Sequence, residues 1–70
     1  MRYAIVVERA GTNNSVYVPD LPGCVATGTT MEEMEQLIRE AIELHLVGLR
    51  EDGLPIPQPS SQVEYVEVVV

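Results

Sequence analysis

No lysine, one cysteine and one histidine occur in the 70 residues, and each scarcity closes off a class of function. A lone cysteine forbids an intrachain disulfide. One cysteine with one histidine cannot supply the donors of a structural zinc site, so neither metal nor cofactor is expected. Four arginines against eleven Asp and Glu leave a formal net charge of −7. Nucleic acid is therefore not expected as a direct ligand, because phosphate binding is driven by Lys and Arg displacing counterions and no basic stripe exists. No apolar run approaches the length of a membrane span, and the N-terminus lacks a basic region followed by an apolar core. The reading is a cytoplasmic chain without membrane partners, which a lone thiol suits. Glycine-rich phosphate loops, repeats and low-complexity tracts are also missing. Residues 1–70 read as one domain. A domain of this size buries only about 60% of the surface of its unfolded chain. Without disulfide or metal, oligomerisation is the expected source of added stability, so a homodimer or larger assembly is anticipated.

What the chain does have is a corner. Pro19-Asp20-Leu21-Pro22-Gly23-Cys24 sets two prolines, a glycine and an aspartate between runs of strand-forming residues. Each proline fixes φ near −65° and removes a donor, while Gly23 is free to take positive φ. Such a stiff corner either only turns the chain or presents a preformed surface. On the second reading Pro19, Asp20, Leu21, Pro22 and Gly23 are partner-binding residues. Before it, residues 2–9 read as a strand closed by Gly11-Thr12-Asn13-Asn14, and Ser15–Val18 as a second strand. Cys24–Thr27 makes a third, ended by Gly28.

Thr30 with Glu33 three positions later forms a capping box, in which each side chain satisfies the other's free backbone N–H. Glu32, Glu33 and Glu35 favour the positive end of the helix dipole and Arg50 the negative end, so a helix is expected over about 31–51, stopped by Gly53. At 100° per residue Met34, Leu37, Ile38, Ala41, Leu44, His45 and Gly48 share one face. Glu32, Gln36, Arg39, Glu40, Glu43 and Glu51 lie opposite. Ile42, Leu46 and Leu49 widen the apolar arc beyond what one sheet face needs, which suits either a subunit contact or a concave sheet.

Gly53 to Ser61, with three alternating prolines, is an extended connection. Val63–Val70 has high β-propensity, and a strand after a crossover helix commonly returns parallel to an earlier one. The expected fold is α+β, a single β-β-β-α-β domain: an antiparallel three-stranded meander, a fourth strand parallel to the first, and one helix packed on one face. One helix covers one face of such a sheet. Because both faces carry apolar side chains, another subunit or a partner is expected on the second, with Ile42, Leu46, Leu49, Val66 and Val68 as oligomer-interface candidates.

Chemistry is thin. Cys24 is the one candidate nucleophile and His45 the one candidate base, and both read better as packed side chains, His45 with one ring nitrogen bonded. The glutamates of the first helical turns are accounted for by capping and the dipole. No catalytic residue is assigned, and no enzyme is expected.

The corner, together with Gly28-Thr29-Thr30, Glu32-Glu33, Pro55-Ile56-Pro57 and Pro59-Ser60, resembles the N-terminal domain of HicB-type antitoxins over nearly the whole chain. The resemblance implies a partial ribonuclease H-like fold and the role of a type II toxin–antitoxin antitoxin. Its implied partner is a small basic HicA-like toxin that cleaves mRNA, neutralised by occlusion, and the charge of −7 fits that partner. Thr29 and Met34 depart from the family's usual aspartate and alanine without upsetting the fold. The appended DNA-binding domain of longer relatives is not seen before Val70. No carboxylate set for metals is evident, so nuclease activity is not implied. The alternatives are an orphan self-associating domain with no toxin partner and a small enzyme using Cys24.

Overall fold

The computed structural model describes residues 1–70, and three strands precede one helix: β1 (Val6–Ala10), β2 (Asn13–Tyr17), β3 (Val25–Gly28) and α1 (Met31–Glu51). The strands form an antiparallel meander in the order β1-β2-β3. Ala10 pairs with Asn13, so the first hairpin turns on two residues only, Gly11 and Thr12. Gly11 has φ +64° and no other residue type in the chain has positive φ, which is the pattern of a II′ turn with glycine first.

Register decides which side chains meet the helix. Val7, Val16 and Ala26 stand in one row, and Val6, Tyr17 and Val25 in the next, on the opposite face. The first face carries the core: Val16, Val18, Leu21, Cys24, Met34 and Ile38 are buried, with Tyr3, Ile5, Val7, Ala26, Ala41, Ile42 and Leu46 packed around them. α1 lies over β3 and part of β2, and its backbone does not approach β1. Gly28 permits this close fit, since a Cβ there would stand 3.0 Å from Met34 Cγ. The glycine expected to break the strand is instead its last residue, and the helix seats on it. The opposite face is apolar only at its corner end, because Glu8, Ser15 and Thr27 form the following row.

The helix bounds agree with the sequence reading, and both ends are chemically defined. Thr30 is extended at φ −121°, ψ 158°, and its side chain accepts from Glu33 N–H at 3.1 Å. The reciprocal half of the box is replaced, since the Glu33 carboxylate accepts from the Thr29 hydroxyl at 3.4 Å. At the other end Gly53 has φ +69°; its N–H donates to Arg50 O at 3.1 Å while Leu54 N–H donates to Leu49 O at 2.9 Å. Those two bonds make a Schellman stop.

Several expectations are corrected: Asn13 and Asn14 belong to the second strand, which runs Asn13–Tyr17 rather than Ser15–Val18, and the third runs Val25–Gly28 rather than Cys24–Thr27. The first strand begins at Val6 rather than residue 2, because its partner β2 ends at Tyr17 and the chain then enters the corner, leaving residues 2–5 nothing to pair with. The fourth strand, expected over Val63–Val70 parallel to β1, does not form: no backbone hydrogen bond joins any residue beyond Leu54 to the sheet. Val63 and Tyr65 lie beside Ile5, Val6 and Val7, but propensity and proximity make no strand without the ladder hydrogen bonds. Val66, Val69 and Val70 are 82, 104 and 115% exposed. The tail projects, giving extents of 49 × 26 × 17 Å and a radius of gyration of 13.9 Å, against about 11 Å for a compact chain of this length.

Candidate functional site

The corner consists of two consecutive β-turns. Leu21 N–H donates to Val18 O at 3.1 Å, enclosing Pro19 and Asp20, and Cys24 N–H donates to Leu21 O at 3.1 Å, enclosing Pro22 and Gly23. Each proline occupies the first central position, where φ near −65° is required. Asp20 has negative φ, as type I demands, whereas Gly23 at +84° makes the second turn type II. Val18 N–H then donates to Cys24 O at 3.1 Å, closing the pair of turns at the sheet's end.

The two turns aim their side chains in opposite senses. Leu21 points inward and is 0% exposed, among the core residues. It fastens the corner from within and leaves Pro19, Pro22 and Gly23 as the exposed part of the motif. Asp20 is half-buried and reaches the segment after the helix. Its Oδ2 accepts from Ser60 N–H at 2.9 Å and Ser61 N–H at 3.0 Å, and its Oδ1 from the two hydroxyls at 3.1 and 2.8 Å. Four donors on one carboxylate stabilise its ionised form. The Ser61 N–H leads the Ser61 hydroxyl and the Ser60 donors in lowering the Asp20 pKa from 3.8 to about 2. A second tie lies upstream, where the Tyr3 hydroxyl donates to Pro57 O. The post-helix segment is thus tied at Pro57 and at Ser60-Ser61, and beyond them Val63 and Tyr65 lie beside Ile5, Val6, Val7 and Arg9.

Sequence reading missed this clasp. The available signal was a Ser-Ser pair, offering four donors, after a proline run, and a single carboxylate in an otherwise apolar corner.

Of the interface candidates, Ile42 and Leu46 meet with Tyr3, Ile5 and Ile38 in a groove of about 680 Å³ between α1 and the start of β1. Leu49 is half-buried outside that lining, and Val66 and Val68 lie on the free tail. The outward face of α1 is acidic, with Glu32, Glu33, Glu35, Glu40, Glu43 and Glu51 all exposed.

Cys24 is buried at 4% exposure, and desolvation raises its pKa above the ordinary 9.0, which favours the inert thiol over the nucleophilic thiolate. His45 is half-buried, and no side-chain hydrogen bond involves it, in place of the bonded ring nitrogen expected. No three His, Cys, Asp or Glu side chains converge as metal ligands, and no helix is long and apolar enough to cross a membrane.

A three-stranded meander under one helix, with a double-turn corner clasped to the following segment, defines a small α+β domain whose organised surface is a corner and an acidic helix. Residues 3–68 match the family described as HicB_like antitoxin of bacterial toxin-antitoxin system, and the chain belongs to that family. It is 37% identical over 76 residues to a 14.9 kDa protein from the rep-hol intergenic region of Haemophilus phage HP1 (strain HP1c1), covering all of this chain and 57% of that one. The chain therefore spans little more than half the length of that relative. A UPF0150 protein of Helicobacter pylori is 36% identical over 64 residues, covering 90% of this chain and 89% of the relative. Among solved structures, a HicA3 and HicB3 toxin-antitoxin complex contains a chain with TM-score 0.72 and 28% identity, covering 86% of this chain and 70% of that one.

Proposed function

We propose that this domain is the binding module of a type II toxin–antitoxin system, acting in the cytoplasm to neutralise a small basic HicA-like toxin by occlusion. The observation that carries the reading is the family match over residues 3–68 together with the likeness to a chain of a HicA3–HicB3 complex. Electrostatics supports it. An exposed acidic helix face on a chain of net charge −7 attracts a basic partner and competes with RNA phosphate for the partner's arginines and lysines. In this reading Pro19, Pro22 and Gly23 form the contact edge of the corner, while Leu21 and Asp20 hold it in shape. The role is binding rather than catalysis, in keeping with a buried, protonated Cys24. The partial ribonuclease H arrangement implied by the resemblance needs a strand beside β1, and Val63–Val70 is the segment with the composition to supply one.

Co-expression with the small basic reading frame adjacent to its gene tests the proposal. The expected result is a co-purifying complex, weakened by salt, and relief of the growth arrest the toxin causes. A toxin that arrests growth equally with and without this chain, and forms no complex, would overturn it.

A further inference from the structure

The strand register leaves one face of the sheet without a cover. Opposite the face on which α1 packs, Val6, Tyr17 and Val25 stand side by side, Glu8, Ser15 and Thr27 form the next row, and Ala10 pairs with Asn13 at the hairpin end. Tyr17 and Val25 are 36 and 62% exposed. Pro19 follows Tyr17 by two residues and Gly23 precedes Val25 by two, so the apolar row runs directly into the exposed edge of the corner. Glu8 is the one charged side chain in these rows. It is a diagonal neighbour of Tyr17, at a separation that aromatic and long side chains span. Neither residue makes a side-chain hydrogen bond, so the phenol hydroxyl and the carboxylate are both uncommitted.

We infer that this row is the apolar centre of the surface on which the basic toxin docks, with Tyr17 as its anchor and a toxin arginine or lysine held over the Tyr17 ring and against the Glu8 carboxylate. The inference rests on the antitoxin reading and adds to it the place where the partner sits. The negative face of the ring attracts a cation, and the carboxylate pairs with it. A tyrosine also suits the centre of an interface, since it buries a large rigid ring and keeps a polar tip. Three side chains alone fall short of the roughly 800 Å² per partner that a standard complex buries. The corner on one side and the Glu8 row on the other extend the surface. Charge selects the occupant. A twofold-related second copy would bring two chains of net charge −7 together on a face whose rows hold Glu8 and no arginine to offset it. A basic partner meets no such repulsion. The glutamates on the outward face of α1 then act at a distance and set the rate of encounter, whereas Tyr17 and Glu8 act on contact and set the lifetime of the complex.

Binding kinetics of the full chain with the product of the adjacent small basic reading frame, measured over a range of salt, test the placement. Tyr17→Ala should speed dissociation roughly thirtyfold, the size of an interface hot spot, and leave the association rate and its salt dependence within about twofold. Tyr17→Phe keeps the ring and should stay within about threefold of the parent. Glu8→Arg should weaken the complex roughly tenfold. Val25→Arg sets a cation against a basic partner and should also weaken it roughly tenfold. Its circular dichroism should stay that of the folded domain, because Val25 lies outside the core, so the face is tested even where Tyr17→Ala loses stability. A parent chain that binds no toxin overturns the antitoxin reading and this placement with it. A complex that forms with the parent and is indifferent to Tyr17→Ala and Val25→Arg overturns the placement alone. Signals of Val6, Tyr17 and Val25 that shift with the concentration of the free chain, and not on adding toxin, would put a second copy on this face and overturn it as well.

Discussion

Replacing Leu21 by alanine should remove a large share of the domain's stability, and the structure sets the size of the effect. Leu21 is 0% exposed at the centre of a core of six buried side chains. The change deletes three carbons, at about 0.8 kcal/mol each a transfer loss of about 2.4 kcal/mol. A residual cavity raises such costs, and measured Leu→Ala series run from about 2.7 to 5 kcal/mol. The double turn limits collapse, because Pro19, Pro22 and three backbone hydrogen bonds hold the corner's shape, so about 3 kcal/mol is expected at Leu21. A domain of this length has about 3.5–10 kcal/mol in total. Urea denaturation followed by circular dichroism should therefore show a midpoint lowered by about 3 M at a slope near 1 kcal/mol/M, with the slope unchanged. Leu21→Met, which conserves volume, should cost less than about 1.5 kcal/mol and leave partner binding intact. If Leu21→Ala loses under about 1 kcal/mol yet abolishes partner binding, Leu21 is a contact residue and the assignment to the core is wrong.

Gly23→Ala should destabilise by about 1–2 kcal/mol through backbone strain alone, since φ is +84° and a Cβ there meets no atom within 4 Å; Gly23→Asn should cost less in the same denaturation experiment. Thr30→Ala removes the acceptor of Glu33 N–H and should cost about 1 kcal/mol, read as a lower thermal midpoint with the helix end fraying in amide exchange. The clasp should depend on pH. Because the folded pKa of Asp20 is lowered from 3.8 to about 2, its contribution is complete above 3.8 and is lost as pH falls through 2. Resonances of Ser60 and Ser61 should shift over that window, and Asp20→Asn should abolish the transition.

Most of the body was legible because its signals are local. Thr30, Glu33 and Gly53 mark the helix by chemistry acting within a few residues, and Pro19, Pro22 and Gly23 specify two turn types by their own φ preferences. The family resemblance rests on the corner and the helix start, and on the spacing to Pro55-Ile56-Pro57 and Pro59-Ser60. What escaped depends on separation. Nothing near Asp20 announces that its four donors come from residues 40 and 41 positions later. The Val-rich tail reads as a strand because propensity describes what a segment could pair as, not whether the ladder hydrogen bonds form. Leu21 was assigned to a surface because the corner was read as one unit, whereas successive turn residues point to opposite sides.

The clasp also bears on the order of folding. Both hairpins, and the helix closing on β3, join residues near in sequence, whereas the Asp20 tie closes a loop of about forty residues, and closure entropy rises with loop length. It and the Tyr3 tie to Pro57, which spans 54 residues, should form last, and the clasp, being made of exposed hydrogen bonds rather than buried side chains, should open first. The chain then behaves as two cooperative units, a core that melts as a whole and a C-terminal segment released by local opening with the core intact. Proteolysis in native conditions should accordingly cut after the helix long before it cuts the sheet.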